Sequence, residues 1–140
     1  MTKAFEQYLR ALKDLALPDR LNAYVVFGSG PLSVRGLKKC NDLDVVVSKE
    51  VWENLLQHGR HAVTASSGSP KIELCGGAVE IFRDWNDGTQ IDIAEIMGRA
   101  ERIDGVWYAH LRDVLAWKKL RNKPKDAGDI RVIEEWLGTR

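Results

Sequence analysis

Asp42 and Asp44 flank a leucine at the start of an apolar run, and their types and spacing suit cation binding. Side chains in a strand alternate between its two faces, so both carboxylates would project from one face while Leu43 points into the core. Two close carboxylates repel each other unless a cation lies between them, and Mg²⁺ prefers such ligands together with phosphates. The pair therefore predicts a divalent-metal site, with a solvated strand end as the alternative.

A glycine-serine pair upstream of these acids suits a phosphate group. Gly28 and Ser29 follow an apolar run at residues 23–27 and precede Pro31, where a helix is expected to begin. Such a turn would direct backbone N–H groups and the helix dipole at an anion, and glycine permits close approach. An ordinary tight turn is the alternative. The chain has no GxxxxGK[ST] loop, and Ser33 stands where a GxGxxG motif needs its third glycine.

The hydrophobic pattern predicts the elements that must position these residues. Short β-branched runs are typical of buried strands, and apolar residues at helical spacing indicate amphipathic helices. The predicted strands are residues 23–27, 43–47, 61–65, 71–75 and 78–82, the last two forming a hairpin across Gly76-Gly77. The predicted helices are residues 3–16, 31–38, one capped by Ser48, 91–103, 111–120 and 129–137. This order predicts an α/β (α+β) fold, a mixed sheet flanked by helices, as one domain over residues 1–140.

Composition narrows the class of protein. A length of 140 residues suits one domain, and a net charge of +1 gives no global reason to expect nucleic-acid or membrane binding. No apolar stretch approaches the ~20 residues of a membrane span, and the amphipathic N-terminus does not resemble a signal peptide. We therefore expect a cytoplasmic protein with no membrane partner. Cys40 and Cys75 are isolated, which favours buried thiols over a disulfide.

The FGS segment at residues 27–29, followed after twelve residues by DLDV at 42–45, resembles the signature of the nucleotidyltransferase superfamily, the fold of DNA polymerase beta. A serine often precedes the first acid in that superfamily, whereas Asn41 stands here. Residues 103–137, with a lysine-bearing helix before a Lys-Asp-x-x-Asp turn, are similar to the tail of small stand-alone bacterial members.

The resemblance implies transfer of a nucleoside monophosphate from an NTP to an acceptor hydroxyl, with release of pyrophosphate and dependence on Mg²⁺ or Mn²⁺. It implies that Gly28 and Ser29 hold the phosphates. Asp42 and Asp44 would bind metal, and a third acid on a neighbouring strand would complete the catalytic site. The acceptor is left open among small molecules, RNA and proteins, and so are the preferred base and homo-oligomer formation.

Glu80 and Asp92 are the two candidates for the third acid. Glu80 alternates with Val79 and Ile81 on a predicted strand, so it would project from the open face, as Asp44 does. Asp92 precedes residues at helical spacing, so we expect it in a first helical turn. Glu80 is therefore the predicted third catalytic and metal-binding acid.

Several other residues have two interpretations each. Among the basic residues from 118 to 125, Lys118 is predicted to reach the triphosphate, and a solvated helix face is the alternative. Asp126 and Asp129 are expected to cap the last helix. Arg35 is either a phosphate contact or a surface residue, and Trp85 is either a core residue or a platform for a base.

Two rival functions follow from the same sequence. One is a catalytically silent protein that binds a nucleotide or a partner, such as a toxin-antitoxin component, because the chain is short and shows no obvious acceptor-binding domain. The other is a nucleic-acid-binding module, which the near-neutral charge weakens.

Overall fold

One mixed sheet with helices on both faces forms the protein, whose computed structural model describes residues 2–138. The strands are β1 (Tyr24–Phe27), β2 (Leu43–Val47), β3 (Val63–Thr64), β4 (Pro70–Leu74), β5 (Val79–Phe82), β6 (Glu101–Ile103) and β7 (Val106–Tyr108). Their order across the sheet is β3-β4-β5-β2-β1-β7-β6. The pairs β1–β7 and β2–β5 are parallel and the other neighbours are antiparallel.

The helices divide between the two faces of this sheet, and each face has its own core. They are α1 (Lys3–Asp14), α2 (Gly30–Ser33), α3 (Lys49–Gln57), α4 (Ile93–Gly98), α5 (Leu111–Arg121) and α6 (Ala127–Gly138). Helices α1 and α3 pack on the face that carries Leu43 and Val45. Helices α2, α4, α5 and α6 cover the face that carries Phe27 and Val46. The predicted mixed sheet flanked by helices is confirmed.

Local signals in the sequence account for the elements around the candidate site. Strand β1 is buried along its whole length, as its unbroken apolar run predicts for a central strand. The Ser48 side chain accepts a hydrogen bond from the Val51 backbone N–H at 3.2 Å and starts α3, as predicted. Strands β4 and β5 form the predicted antiparallel hairpin across Gly76 and Gly77.

Three predicted elements differ from the structure. Helix α2 has only four residues, whereas residues 31–38 were predicted, because the chain turns at Gly36, whose φ is +73°. Strand β3 contains only Val63–Thr64 and is exposed. The helix predicted over residues 91–103 ends at Gly98, and the chain then forms the unpredicted β6–β7 hairpin. An Asp104-Gly105 turn with two positive φ angles, 49° and 80°, closes that hairpin.

Within residues 2–138, no helix has the length and apolar character needed to cross a membrane. Both cysteines are free, as expected, but only Cys40 is buried and Cys75 is exposed.

Candidate active site

Three acids and an aromatic residue form one row across four adjacent strands. Phe27 of β1 pairs with Asp44 of β2, Asp44 pairs with Glu80 of β5, and Glu80 pairs with Glu73 of β4. Residues in register on neighbouring strands share a face and lie about 5 Å apart. Asp44 and Glu80 are partly buried, while Leu43 beside them is fully buried in the opposite core. The alternation predicted for Leu43 and Asp44 is confirmed, whereas Asp42 lies one residue before the start of β2.

The Gly28-Ser29 loop follows directly from this row. Gly28 has a φ of +66°, and a Cβ built on it would lie 2.9 Å from Oδ2 of Asp44. A side chain at this position would clash with the Asp44 carboxylate, so the loop needs glycine here. Ser29 accepts backbone hydrogen bonds through its carbonyl oxygen from Leu32 and Ser33, and its side chain makes no capping hydrogen bond.

Helix α2 is too short to supply the helix dipole that the sequence predicted for phosphate binding. A single turn aligns few peptide dipoles, so the expected contribution of a helix dipole to phosphate binding is small. The loop itself, with the backbone N–H groups around Gly28 and the hydroxyl of Ser29, is what the structure offers to a phosphate at this place.

Asp44 lies in an electrostatically unfavourable environment. Its burial raises the pKa of the carboxyl group to about 7, and the negative charges of Asp42 and Glu80 contribute to the same shift. The positive charges of Lys71 and Arg121 act in the opposite direction. Ionised Asp44 is therefore short of positive charge near neutral pH, which is the condition that a bound cation relieves.

The donor set fits a hard divalent ion only in part. Asp42 and Asp44 offer carboxylate oxygens of the kind that Mg²⁺ prefers, and the Gly28-Ser29 loop lies beside Asp44. Within residues 2–138, however, no group of three or more His, Cys, Asp or Glu side chains is arranged to hold a metal ion. The fit is thus to two carboxylates plus a ligand's phosphates, and Glu80 as a third ligand stays a prediction.

The two candidates for the third acid have different surroundings. Glu80 lies beside Asp44 in the sheet and forms an ion pair with Lys71 of β4. Asp92 caps α4 instead, accepting a hydrogen bond from the Glu95 backbone N–H at 3.2 Å. The structure therefore brings Glu80 next to Asp44 and places Asp92 at the N-cap of α4, one residue before the first helical turn in which it was expected.

Lys118 lies in a buried ionic network. Its side chain is 3% exposed, and its Nζ lies 3.3 Å from Asp126 Oδ1 and 3.0 Å from Asp129 Oδ2. Arg121 also donates two hydrogen bonds to Asp126, at 2.8 and 2.5 Å. Although burial acts to raise the pKa of Asp126, these cationic partners hold it below its usual value. Contact of Lys118 with a triphosphate stays a prediction, whereas its role in joining α5 to the start of α6 is visible.

Removing the centre of this network should be costly. We expect Asp126→Ala to lower the free energy of unfolding by about 3 kcal/mol or more, because two cations would lose a buried partner. Glu134→Ala is the matched control on α6, since the Glu134–Lys119 pair is 52% exposed on both sides and should contribute less than about 1 kcal/mol. Urea unfolding would measure both changes, and equal effects would contradict the interpretation.

Arg35 and Trp85 both have structural partners. Arg35 donates a hydrogen bond to the Pro31 carbonyl oxygen at 2.7 Å and pairs with Glu101 at 2.5 Å, so it braces the segment that follows Ser29. The Trp85 ring packs edge-on against Phe27, with the centroids 4.9 Å apart. These contacts favour the core interpretation of Trp85.

Sequence reasoning missed two cations beside the acids. Lys71 could have been found from the predicted β4–β5 hairpin, because that pairing places it on the face of Glu80. Arg121 stacks 4.1 Å from the centre of the Trp117 ring, and its charge lowers the pKa of Asp44. The sequence alone does not distinguish Arg121 from the other basic residues between positions 118 and 125.

Comparison with known proteins supports the fold. No family model matches this sequence, and no curated protein matches it either. Among solved structures, the chain is similar to a "putative nucleotidyltransferase" from Thermotoga maritima, with a TM-score of 0.59 and 21% sequence identity. The match covers 100% of this chain and 97% of the other. At this level of identity, the likeness shows that the two proteins share a fold.

Proposed function

We propose that this protein is a nucleotidyltransferase that moves a nucleoside monophosphate from an NTP to an acceptor hydroxyl, with release of pyrophosphate and dependence on Mg²⁺ or Mn²⁺. The observation that carries the proposal is the position of Gly28, where a Cβ would lie 2.9 Å from Asp44 Oδ2. This position brings a loop suited to phosphate next to Asp44, a carboxylate with too little positive charge in its surroundings to favour ionisation. The shared fold with the Thermotoga maritima protein adds support.

Each residue has a defined task in this proposal. Backbone N–H groups at Gly28 and the hydroxyl of Ser29 would bind and orient the phosphates. Asp42 and Asp44 would hold a divalent ion, whose chemistry would be to neutralise charge on the reacting oxygens. The remaining contribution of the chain is positioning, since the acceptor oxygen must lie in line with the leaving pyrophosphate.

One observation favours a second candidate function. No third acid, histidine or cysteine in residues 2–138 joins Asp42 and Asp44 to enclose a metal. A protein that binds a nucleotide or a partner without turnover, such as a toxin-antitoxin component, would need no such enclosure. Transfer and silent binding make different predictions for the fate of a labelled nucleotide.

Label transfer distinguishes the two functions. The wild-type protein is incubated with Mg²⁺ and the four NTPs labelled at the α-phosphate, with pooled small-molecule, RNA and protein acceptors. We expect label on one acceptor class with wild type and none with Asp44→Asn, because the mutant lacks a metal-binding carboxylate. Metal-dependent NTP binding by the wild type without transfer to any acceptor would support silent binding and contradict turnover.

A further inference from the structure

Lys71 occupies an unusual place beside the acid row. It lies on β4 two register pairs away from the Glu73–Glu80 pair, on the same face of the sheet, and its side chain is only 18% exposed. Its ammonium group forms a close ion pair with Glu80 Oε2 and lies 3.6 Å from Glu73 Oε2. Glu80 is in register with Asp44 on the next strand. A fixed positive charge therefore sits among the carboxylates next to the proposed metal ligands.

The close ion pair uses the carboxylate that would otherwise coordinate a metal ion. The Glu80 side chain is 21% exposed, so the pair with Lys71 is not a freely solvated surface contact. A divalent ion on Glu80 Oε2 would have to displace the ammonium group, and an ion on the other oxygen of the same carboxylate would be repelled by that group at close range. The Lys71 charge also reaches Asp44, where it lowers the cost of ionisation.

We infer that Lys71 takes the place of a second divalent cation, so that the site holds one divalent ion on Asp42 and Asp44. Glu80 is then a positioning residue that holds Lys71 and not a metal ligand. The inference rests on the proposed function for the ion at Asp42 and Asp44. The site would then contain one metal ion and one ammonium group in place of two metal ions. This arrangement agrees with the finding that no three acids within residues 2–138 are arranged to hold a metal ion.

Counting bound Mn²⁺ by electron paramagnetic resonance at pH 8, with a saturating non-hydrolysable NTP analogue, tests this inference. We expect one Mn²⁺ per chain for the wild type and for Lys71→Arg, which keeps the charge. Lys71→Met should take up a second Mn²⁺, because Glu73 and Glu80 lose their cation. The double variant Lys71→Met/Glu80→Gln should return to one ion, since the released carboxylate is gone.

Glu80→Gln separates a positioning role from a ligand role. If Glu80 only holds Lys71, the variant should still bind one Mn²⁺ per chain, whereas Asp44→Asn should lose binding. Two Mn²⁺ ions on the wild type, an unchanged count in Lys71→Met, or loss of the bound Mn²⁺ in Glu80→Gln would each overturn the inference. Unchanged Mn²⁺ binding in Asp44→Asn would instead overturn the proposed metal site.

Discussion

Asp44→Asn should make the protein more stable at pH 8 while it abolishes metal-dependent nucleotide binding. The pKa of Asp44 is raised to about 7 by burial first and then by the charges of Asp42 and Glu80. In the unfolded chain this carboxyl group has an ordinary pKa near 4. The folded protein therefore holds a proton that the unfolded chain has lost between about pH 4 and pH 7.

The sign of the effect follows from this difference. As pH rises through that interval, wild-type stability falls, and above about pH 7 the whole cost of an ionised, buried carboxylate is present. That cost is at most about 4 kcal/mol, since one pKa unit corresponds to about 1.4 kcal/mol. Asparagine carries no charge, so the variant should gain the full amount at pH 8 and only about a third of it at pH 5.

Urea unfolding at the two pH values would measure the gain, and a thermal shift with Mg²⁺ and NTP would report binding. The wild type should be stabilised by Mg²⁺ with NTP, and the variant should show no shift, with an affinity lower by about 100-fold or more. If the variant is less stable than wild type at pH 8, Asp44 stabilises the fold. That result would contradict the interpretation that Asp44 lowers stability in exchange for function.

Gly28→Ala should lose nucleotide binding through one added methyl group. At the Gly28 position the backbone is left-handed, with φ of +66°, and the new Cβ would lie 2.9 Å from Asp44 Oδ2. Either the carboxylate or the loop must move, so the phosphate and metal sites lose their alignment. We expect NTP affinity in the presence of Mg²⁺ to fall by about tenfold or more.

Gly36→Ala is the matched control for this variant. Gly36 has a similar φ of +73°, but a Cβ there would meet nothing within 4 Å. Both variants should therefore have a free energy of unfolding lower by about 1–2 kcal/mol, because alanine is strained in a left-handed conformation. Only Gly28→Ala should lose binding. Equal NTP affinity for the two variants, measured by calorimetry, would reduce the Gly28-Ser29 loop to an ordinary turn.

Elements of the fold that depend on local sequence were predictable, and elements that depend on pairing with distant segments were not. The two central strands are continuous β-branched runs, and their sequence leaves little choice of structure. The β6–β7 hairpin also carries a strong local signal, Asp104-Gly105, yet helical spacing before it favoured a long helix. In the structure that helix ends at Gly98, because the edge of the sheet provides pairing partners that a local pattern cannot represent.

The candidate site was predictable where its residues share one strand or one turn. Gly28, Asp42 and Asp44 follow from type and spacing, and the approach of Gly28 to Asp44 follows once β1 pairs with β2. The positions of Lys71 and Arg121 near Asp44 result from the packing of distant segments and from side-chain conformation, so residue type alone did not identify them. The same limit applies to Lys118, whose burial with Asp126 is a tertiary feature.

In the proposed function, the Gly28-Ser29 loop and the Asp42-Asp44 pair together form a divalent-dependent NTP site. Calorimetric titration of the wild-type protein with non-hydrolysable analogues of the four NTPs, in Mg²⁺ and in EDTA, tests it most directly. We predict that at least one analogue binds in Mg²⁺ and that its affinity falls by about tenfold or more in EDTA. Equal affinity under both conditions, or no binding of any analogue in Mg²⁺, would contradict the claim.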